Sequence, residues 1–341
     1  MLAVPPGPHR TQPKETASTP IGSLLRARSL LPGLWFWAGL LLLIGVTIVV
    51  FVSMMAGAWI RSIHVPTNLN QIVASPPITT FTVQRTAPYA GLKITVMTAQ
   101  YAPSFVDDDI HLGPAVVRLT LHVANPTSSQ IGIVYYDSAR LLIPKVQPLA
   151  PTNVHLAASL NPGTNATGWL DFSVPDTVHL DSLTLQLGSP LLHEWLVKIP
   201  FKGAFDASRY ADASSPQTLV ITYNYNDAGP LLTYHLTKVD TRFSYRGSQC
   251  QAGKHFYILN FLVDNSNDVD VSPGPSFQYV RLLVDGNTLT PVENSLPATF
   301  KAGTQGVAGQ VIFMAPAGLQ TVTVTFLSQN TGGHQDYEVN L

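Results

Sequence analysis

Asp264, Asp268 and Asp270 sit in the run Asp264-Asn265-Ser266-Asn267-Asp268-Val269-Asp270, where carboxylate and amide oxygens follow one another at spacings a calcium loop could use. The helix-flanked calcium loop also needs Gly at its sixth position and Glu at its twelfth. Counted from Asp264, those places hold Val269 and Pro275. An earlier stretch of the same type, Asn125-Pro126-Thr127-Ser128-Ser129-Gln130, carries no carboxylate. The cluster therefore reads as a polar turn between strands, with calcium as the weaker alternative. Asp107-Asp108-Asp109 reads in the same way, as an acidic loop tip held in water.

Nucleophilic or metal-assisted hydrolysis has no signature here, since G-x-S-x-G, S-x-x-K and H-E-x-x-H are all missing from the sequence. His193-Glu194 lacks the second His of a zinc helix. His111, His122, His155, His179, His235, His255 and His334 show no recognised ligand spacing. The one cysteine, Cys250, has no CxxC partner and reads as a lone loop or core residue, against the alternatives of an interchain bridge or a reactive thiol. Paired carboxylates for glycoside hydrolysis meet only in space, so the sequence leaves them open. Asn165-Ala166-Thr167 matches a glycosylation acceptor within a turn. No catalytic residue and no cofactor is expected.

The element that fixes where these residues work is the stretch 34–60, LWFWAGLLLLIGVTIVVFVSMMAGAWI, which carries no charge. A hydrocarbon core of about 30 Å needs about 20 apolar residues, so this segment predicts one transmembrane helix with tilt to spare. Trp35 and Trp37 at one end and Trp59 at the other suit the two headgroup layers. Arg26 and Arg28 precede the span, with Arg10 and Lys14 further upstream, whereas Arg61 alone follows it before Arg85. That asymmetry predicts a cytoplasmic N-terminus and an extracytoplasmic remainder at the cell membrane. Cleavage after Ala56-Gly57-Ala58 is the rival, but the apolar run is far longer than the roughly 7–15 residues of a signal peptide. The bilayer is thus the expected partner of residues 34–60. Ser53 and Gly57, a small-x-x-x-small pair, would let two spans approach and self-associate.

Charged residues make up 11% of the chain and the net charge is −1, with no basic cluster after the span, so nucleic acid is not expected as a partner. Residues 1–33, rich in proline and without hydrophobic period, read as a disordered cytoplasmic tail, and 61–77 as a juxtamembrane tether. Beyond them the sequence repeats with an offset of 140 to 142 residues. LKITVMTA at 92–99 aligns with LTYHLTKV at 232–239, and LTLHVAN at 119–125 with LNFLVDN at 259–265. Arg140-Leu141-Leu142-Ile143 recurs as Arg281-Leu282-Leu283-Val284. Gly163-Thr164 ahead of Gly168–Phe172 recurs as Gly303-Thr304 ahead of Gly309–Phe313. Trp195, Val197 and Ile199 match Tyr337, Val339 and Leu341.

Each copy alternates short Val, Ile, Thr, Tyr and Phe runs with Gly, Pro and Asn turns, the pattern of a β-sandwich. Strands are expected near 78–83, 92–99, 115–123, 139–143, 168–174, 182–187 and 194–199, then near 218–223, 231–242, 254–263, 278–284, 309–314, 321–327 and 335–340. The domains predicted are a first β-sandwich over 78–200, a linker over 201–216 with room for one helical turn, and a second β-sandwich over 217–341. The fold class is therefore all-β, two tandem immunoglobulin-like β-sandwiches preceded by one N-terminal transmembrane α-helix.

A strand closed by Asn at Asn125 and Asn265, an LL-type strand, and a Gly-Thr turn at Gly163 and Gly303 leading to Gly-x-x-x-Phe resemble the telokin-like, immunoglobulin-like extracytoplasmic domains of unknown function in bacterial lipoproteins and membrane proteins. The resemblance covers about 78–341, and it implies an envelope protein with no catalytic residues to carry over. The function expected is binding or scaffolding at the envelope toward a protein or glycan, with a ligand-sensing ectodomain as the alternative and an envelope hydrolase behind both.

Overall fold

The computed structural model of this chain describes residues 77–107, 113–224, 229–328 and 332–341, all within one compact unit, Ser75–Leu341. The expected span 34–60 with Trp35, Trp37, Trp59, Arg26, Arg28 and Arg61 lies outside the described residues, as do the tail and most of the tether. Among the described residues no helix is long and apolar enough to cross a membrane.

The described chain is almost entirely antiparallel β. Its first half holds β1 (Thr79–Tyr89), β2 (Leu92–Ala102), β3 (Ala115–Ala124), β4 (Ile131–Gly132), β5 (Ala139–Leu142), β6 (Asn153–His155), β7 (Ser159–Leu160), β8 (Asn165–Val174), β9 (Thr184–Leu187) and β10 (Val197–Pro200). The second half holds β11 (Ala213–Tyr223), β12 (Leu232–Arg242), β13 (Ser244–Tyr245), β14 (Ser248–Gln249), β15 (Lys254–Asp264), β16 (Val280–Val284), β17 (Asn287–Leu289), β18 (Glu293–Asn294), β19 (Val307–Pro316), β20 (Thr321–Leu327) and β21 (His334–Asn340).

The two halves share a plan. The five-stranded sheet of the first runs β1-β2-β3-β8-β6, and that of the second β11-β12-β15-β19-β18. Facing them are β10-β9-β5 and β17-β16-β20-β21. Both first strands break register once, at Thr82/Arg85 and Pro216/Leu219, and both second strands once, at Val96/Thr98 and Leu236/Lys238.

Period-two alternation explains the layers. Val117, Leu119, Leu121 and Val123 of β3 point inward to meet Leu141, Leu185, Val197 and Ile199 from the smaller sheet, and together they make the first core. The second core is built likewise but is richer in aromatics, with Tyr223 stacked on Tyr279 at 5.1 Å and the Tyr234 and Tyr279 hydroxyls 2.9 Å apart. Each large side chain sealed there contributes on the order of 1.5–3 kcal/mol through removal from water.

Two boundaries differ from the sequence expectation. Residues 201–216, expected as a linker, are part of the folded unit. Phe201 and Tyr210 are buried in the first core, a 3-10 turn forms at Ala207–Tyr210, and β11 already starts at Ala213. The polar run ASSP has no apolar alternation to announce a strand; its pairing with Thr241 back to Lys238 on β12 imposes one.

Gly168 and Gly309 occupy matching places where a short edge strand or its flank crosses closely. A Cβ on Gly168 would run into the carbonyl oxygen of His155, and one on Gly309 would lie 2.9 Å from Leu296 Cα. Gly168→Ala should therefore push β6 off β8 and lower stability by about 1–3 kcal/mol, read as a lower urea midpoint. An unchanged midpoint would show that the edge strand yields freely.

Candidate functional site

The halves meet through a short ladder that neither core contains. His193 takes a left-handed backbone (φ 54) after the turn Pro190–Leu192, which swings the next residues toward the second half. There the Trp195 N–H donates to the Cys250 carbonyl at 2.8 Å and the Ala252 N–H to the His193 carbonyl at 2.7 Å, with Glu194 opposite Gln251. Gln249 adds two bonds, accepting from the Ala90 N–H at 3.0 Å and donating to the Trp195 carbonyl at 3.3 Å. Glu194 is held by the Ser189 N–H at 2.7 Å and the Tyr89 hydroxyl at 3.0 Å. Burial, and then the neighbouring Glu194 charge, push the Tyr89 phenol well above its usual range, so it stays a donor.

Aromatic side chains fill the space behind this ladder. Trp195 meets Phe243 edge to face at 5.5 Å, Phe243 meets His255 at 4.4 Å, and Tyr210 reaches Phe243 at 6.2 Å. Beneath them Cys250, Phe256, Ile258 and Ile312 form a small buried cluster against the outward face of the second five-stranded sheet. Burial pushes the Cys250 thiol up to about 12. A thiol so far from ionising at neutral pH is an inert core group rather than a nucleophile.

An open groove of about 1260 Å³ runs beside this junction. Its floor is the outward side of β10 with Trp195, Leu196 and Lys198, its wall is the segment carrying Phe205, Arg209 and Tyr210, and Ala252 and Gly253 close one end from the second half. The Tyr210 hydroxyl accepts the Lys198 N–H at 3.3 Å, which ties wall to floor. Aromatic surface flanked by both signs of charge suits contact with a mixed polar and apolar surface.

The acidic residues singled out by the sequence do not converge. Asp264 accepts the Gly306 N–H at 2.7 Å and pairs with His235 at 3.0 Å, while Asp270 accepts the Ala302 N–H at 2.9 Å and pairs with Lys301 at 2.7 Å. The Gly306 bond to Asp264 and the Lys301 bond to Asp270 hold both carboxyls below the usual range. Both thereby brace the turn 301–306, and Asp268 joins neither bond network. Among the described residues no group of three or more His, Cys, Asp or Glu could hold a metal ion.

Of the acidic tip, Asp107 bonds Arg118, whereas Asp108, Asp109 and His111 lie outside the described residues. His122 bonds Thr167 at 3.0 Å, and His155 stacks on Trp169 at 4.6 Å.

The sequence reading passed over the pair Arg118 and Asp171. The guanidinium binds the carboxylate through two bonds of 2.8 Å, beneath Phe105 at 4.2 Å and beside Trp169 at 4.8 Å. Burial opposes that charge, but the bonds to Asp171 and Asp107 outweigh it and raise the Arg118 pKa. At the matching paired positions the second half has Ile258 and Ile312. A charge inside VVRLTLHV was the available signal; its partner depends on the register of β3 with β8.

No family model matches the chain, and no curated protein matches it. Among solved structures, one similar chain is a functionally unknown protein from Listeria monocytogenes EGD-e. It is 13% identical over 37% of this chain and 87% of its own, with a TM-score of 0.28, an overlap too slight to carry an argument about fold or function.

Proposed function

We propose that this chain is a single-pass, membrane-anchored extracytoplasmic binding or scaffolding protein of the cell envelope. In this reading residues 34–60 are the anchor, and the two halves are immunoglobulin-like β-sandwiches made by duplication, akin to the telokin-like domains of bacterial surface proteins. Matching sheet orders, matching register breaks and matching buried asparagines support the duplication. The observation that carries the binding role is the groove beside the junction, where Trp195, Phe205 and Tyr210 meet Lys198 and Arg209 over one continuous surface. Fold by itself does not give function, so the role rests on that site.

A photo-crosslinking side chain placed at Phe205 in the full-length protein, expressed in its own cells, tests the proposal. The expected result is one discrete adduct that the same label at exposed Val292, outside the groove lining, does not give. Equal or absent adducts at the two positions would defeat it. A sensing role is favoured by one feature, since the groove takes its lining from both halves and an occupant would bear on how they meet.

A further inference from the structure

The ring of His255 lies where the halves join, 4.4 Å from Phe243, 5.9 Å from Trp195 of the first half and 6.4 Å from Tyr257. Both of its nitrogens are sealed from solvent and neither has a hydrogen-bond partner. A neutral imidazole already leaves one N–H unsatisfied there; a charged one would leave two, together with an unpaired buried charge. Water reaches those two nitrogens only if the packing around them opens. We propose that the junction is an acid-released clasp, in which protonation of His255 separates the two halves along the Trp195–Phe243 contact.

The surrounding groups do not offer the cation a partner. From the first half, Glu194 is committed to Ser189 and Tyr89, and Tyr210 faces Phe243. Beside the segment that carries Phe243, Asp212, just ahead of β11, accepts the Phe243 N–H at 3.4 Å and lies 3.9 Å from Arg242, and the Cys250 thiol is neutral. On the strand of His255 itself, Lys254 bonds Gln251 and the Tyr257 hydroxyl donates to the Pro316 carbonyl. Opposite it, β19 presents Ala315 and Met314, which carry no charge.

The sign follows from linkage. Burial lowers the His255 pKa in the joined form, so as pH falls below the ordinary histidine value of about 6.5 the parted form binds the proton and the joined form does not. Joining is thus at full strength above that pH and weakens below it, approaching tenfold per pH unit, until the joined form is protonated too. Asp212 acts oppositely. Burial raises its carboxyl pKa, so where that burial belongs to the joined form it favours joining as the carboxyl takes up its proton.

Hydrogen exchange on the full-length protein in detergent tests this. After correction for intrinsic rates, amides of 191–197 and 249–253 should lose up to about fivefold in protection between pH 6.5 and 5.5, while those of β3 and β15 interior residues hold. His255→Phe keeps an aromatic ring that cannot titrate and should abolish the pH dependence; His255→Gln serves the same purpose if the ring variant misfolds. Flat protection in the unaltered protein, or an equal loss in both variants, would overturn the proposal. So would a His255 imidazole titration with its midpoint at or above about 6.5, the value of a free side chain. The clasp stands or falls separately from the crosslinking result at Phe205.

Discussion

Arg118→Ile is expected to destabilise the first half by about 3–5 kcal/mol, because it leaves the Asp171 carboxylate buried and alone. The Asp171 side chain is 0% exposed and its two oxygens take the Nε and Nη2 protons of Arg118 at 2.8 Å each. Desolvation of the remaining carboxylate, rather than loss of attraction, is the larger part of that cost. Asp171→Ile alone should cost a similar amount by stranding the guanidinium, though Asp107 remains within 2.8 Å to share the charge.

The double change Arg118→Ile with Asp171→Ile should recover most of the loss. Ile258 and Ile312 already face each other at the equivalent paired positions of the second half, so an apolar pair fits this sheet face. Urea unfolding of the four species gives the cycle, with an expected coupling of more than about 3 kcal/mol. A single change costing under about 1 kcal/mol would mean that solvent reaches Asp171 freely. A double mutant as unstable as the sum of its parts would mean that Phe105 and Trp169 need the guanidinium between them.

The second large effect is expected at the buried asparagines. Asn265 donates to the carbonyls of Val269, Phe300 and Lys301 at 2.9, 3.0 and 3.1 Å and accepts from the Asn267 N–H at 3.1 Å. Asn125 repeats the arrangement with the Ser129 and Leu160 carbonyls at 2.8 and 3.0 Å and the Thr127 N–H at 3.0 Å. Each side chain closes its loop onto the strand and satisfies one buried carbonyl, Leu160 or Phe300, together with partly buried groups of the loop. Asn265→Ala should cost about 2–4 kcal/mol, since one buried and two partly buried acceptors lose their donor at roughly 1–3 kcal/mol for the buried one and less for the others. Asn265→Asp should cost at least as much, because a carboxylate would turn acceptors toward carbonyls. Urea unfolding measures both, and a loss below about 1 kcal/mol for Asn265→Ala would show that the loop rebonds without it.

The sequence carried the strands well where alternation was strong. β3, β15 and β20 lie within a residue of their expected places, β3 and β20 because an apolar face alternates with a more polar one and β15 because it is one unbroken run of strand-forming residues. The asparagines were legible too, as strand-closing residues repeated at one spacing, although the bonds by which they close their loops were not. Short strands such as β6 and β18 were illegible because a pair of residues has no period to read, and they exist only because a glycine on the neighbour lets them cross. The junction was out of reach for a different reason. Trp195, Phe243, Cys250 and His255 are ordinary strand and turn residues one by one, and only the meeting of two halves makes them a cluster.

Cys250 has a use that follows from its place. It is the only sulfhydryl in the chain, it is fully shielded, and its carbonyl receives the Trp195 N–H. A maleimide added to the native molecule can modify it only during excursions in which the surrounding packing comes undone. The labelling rate is therefore a built-in clock for those excursions, readable by mass alone and without engineering any residue.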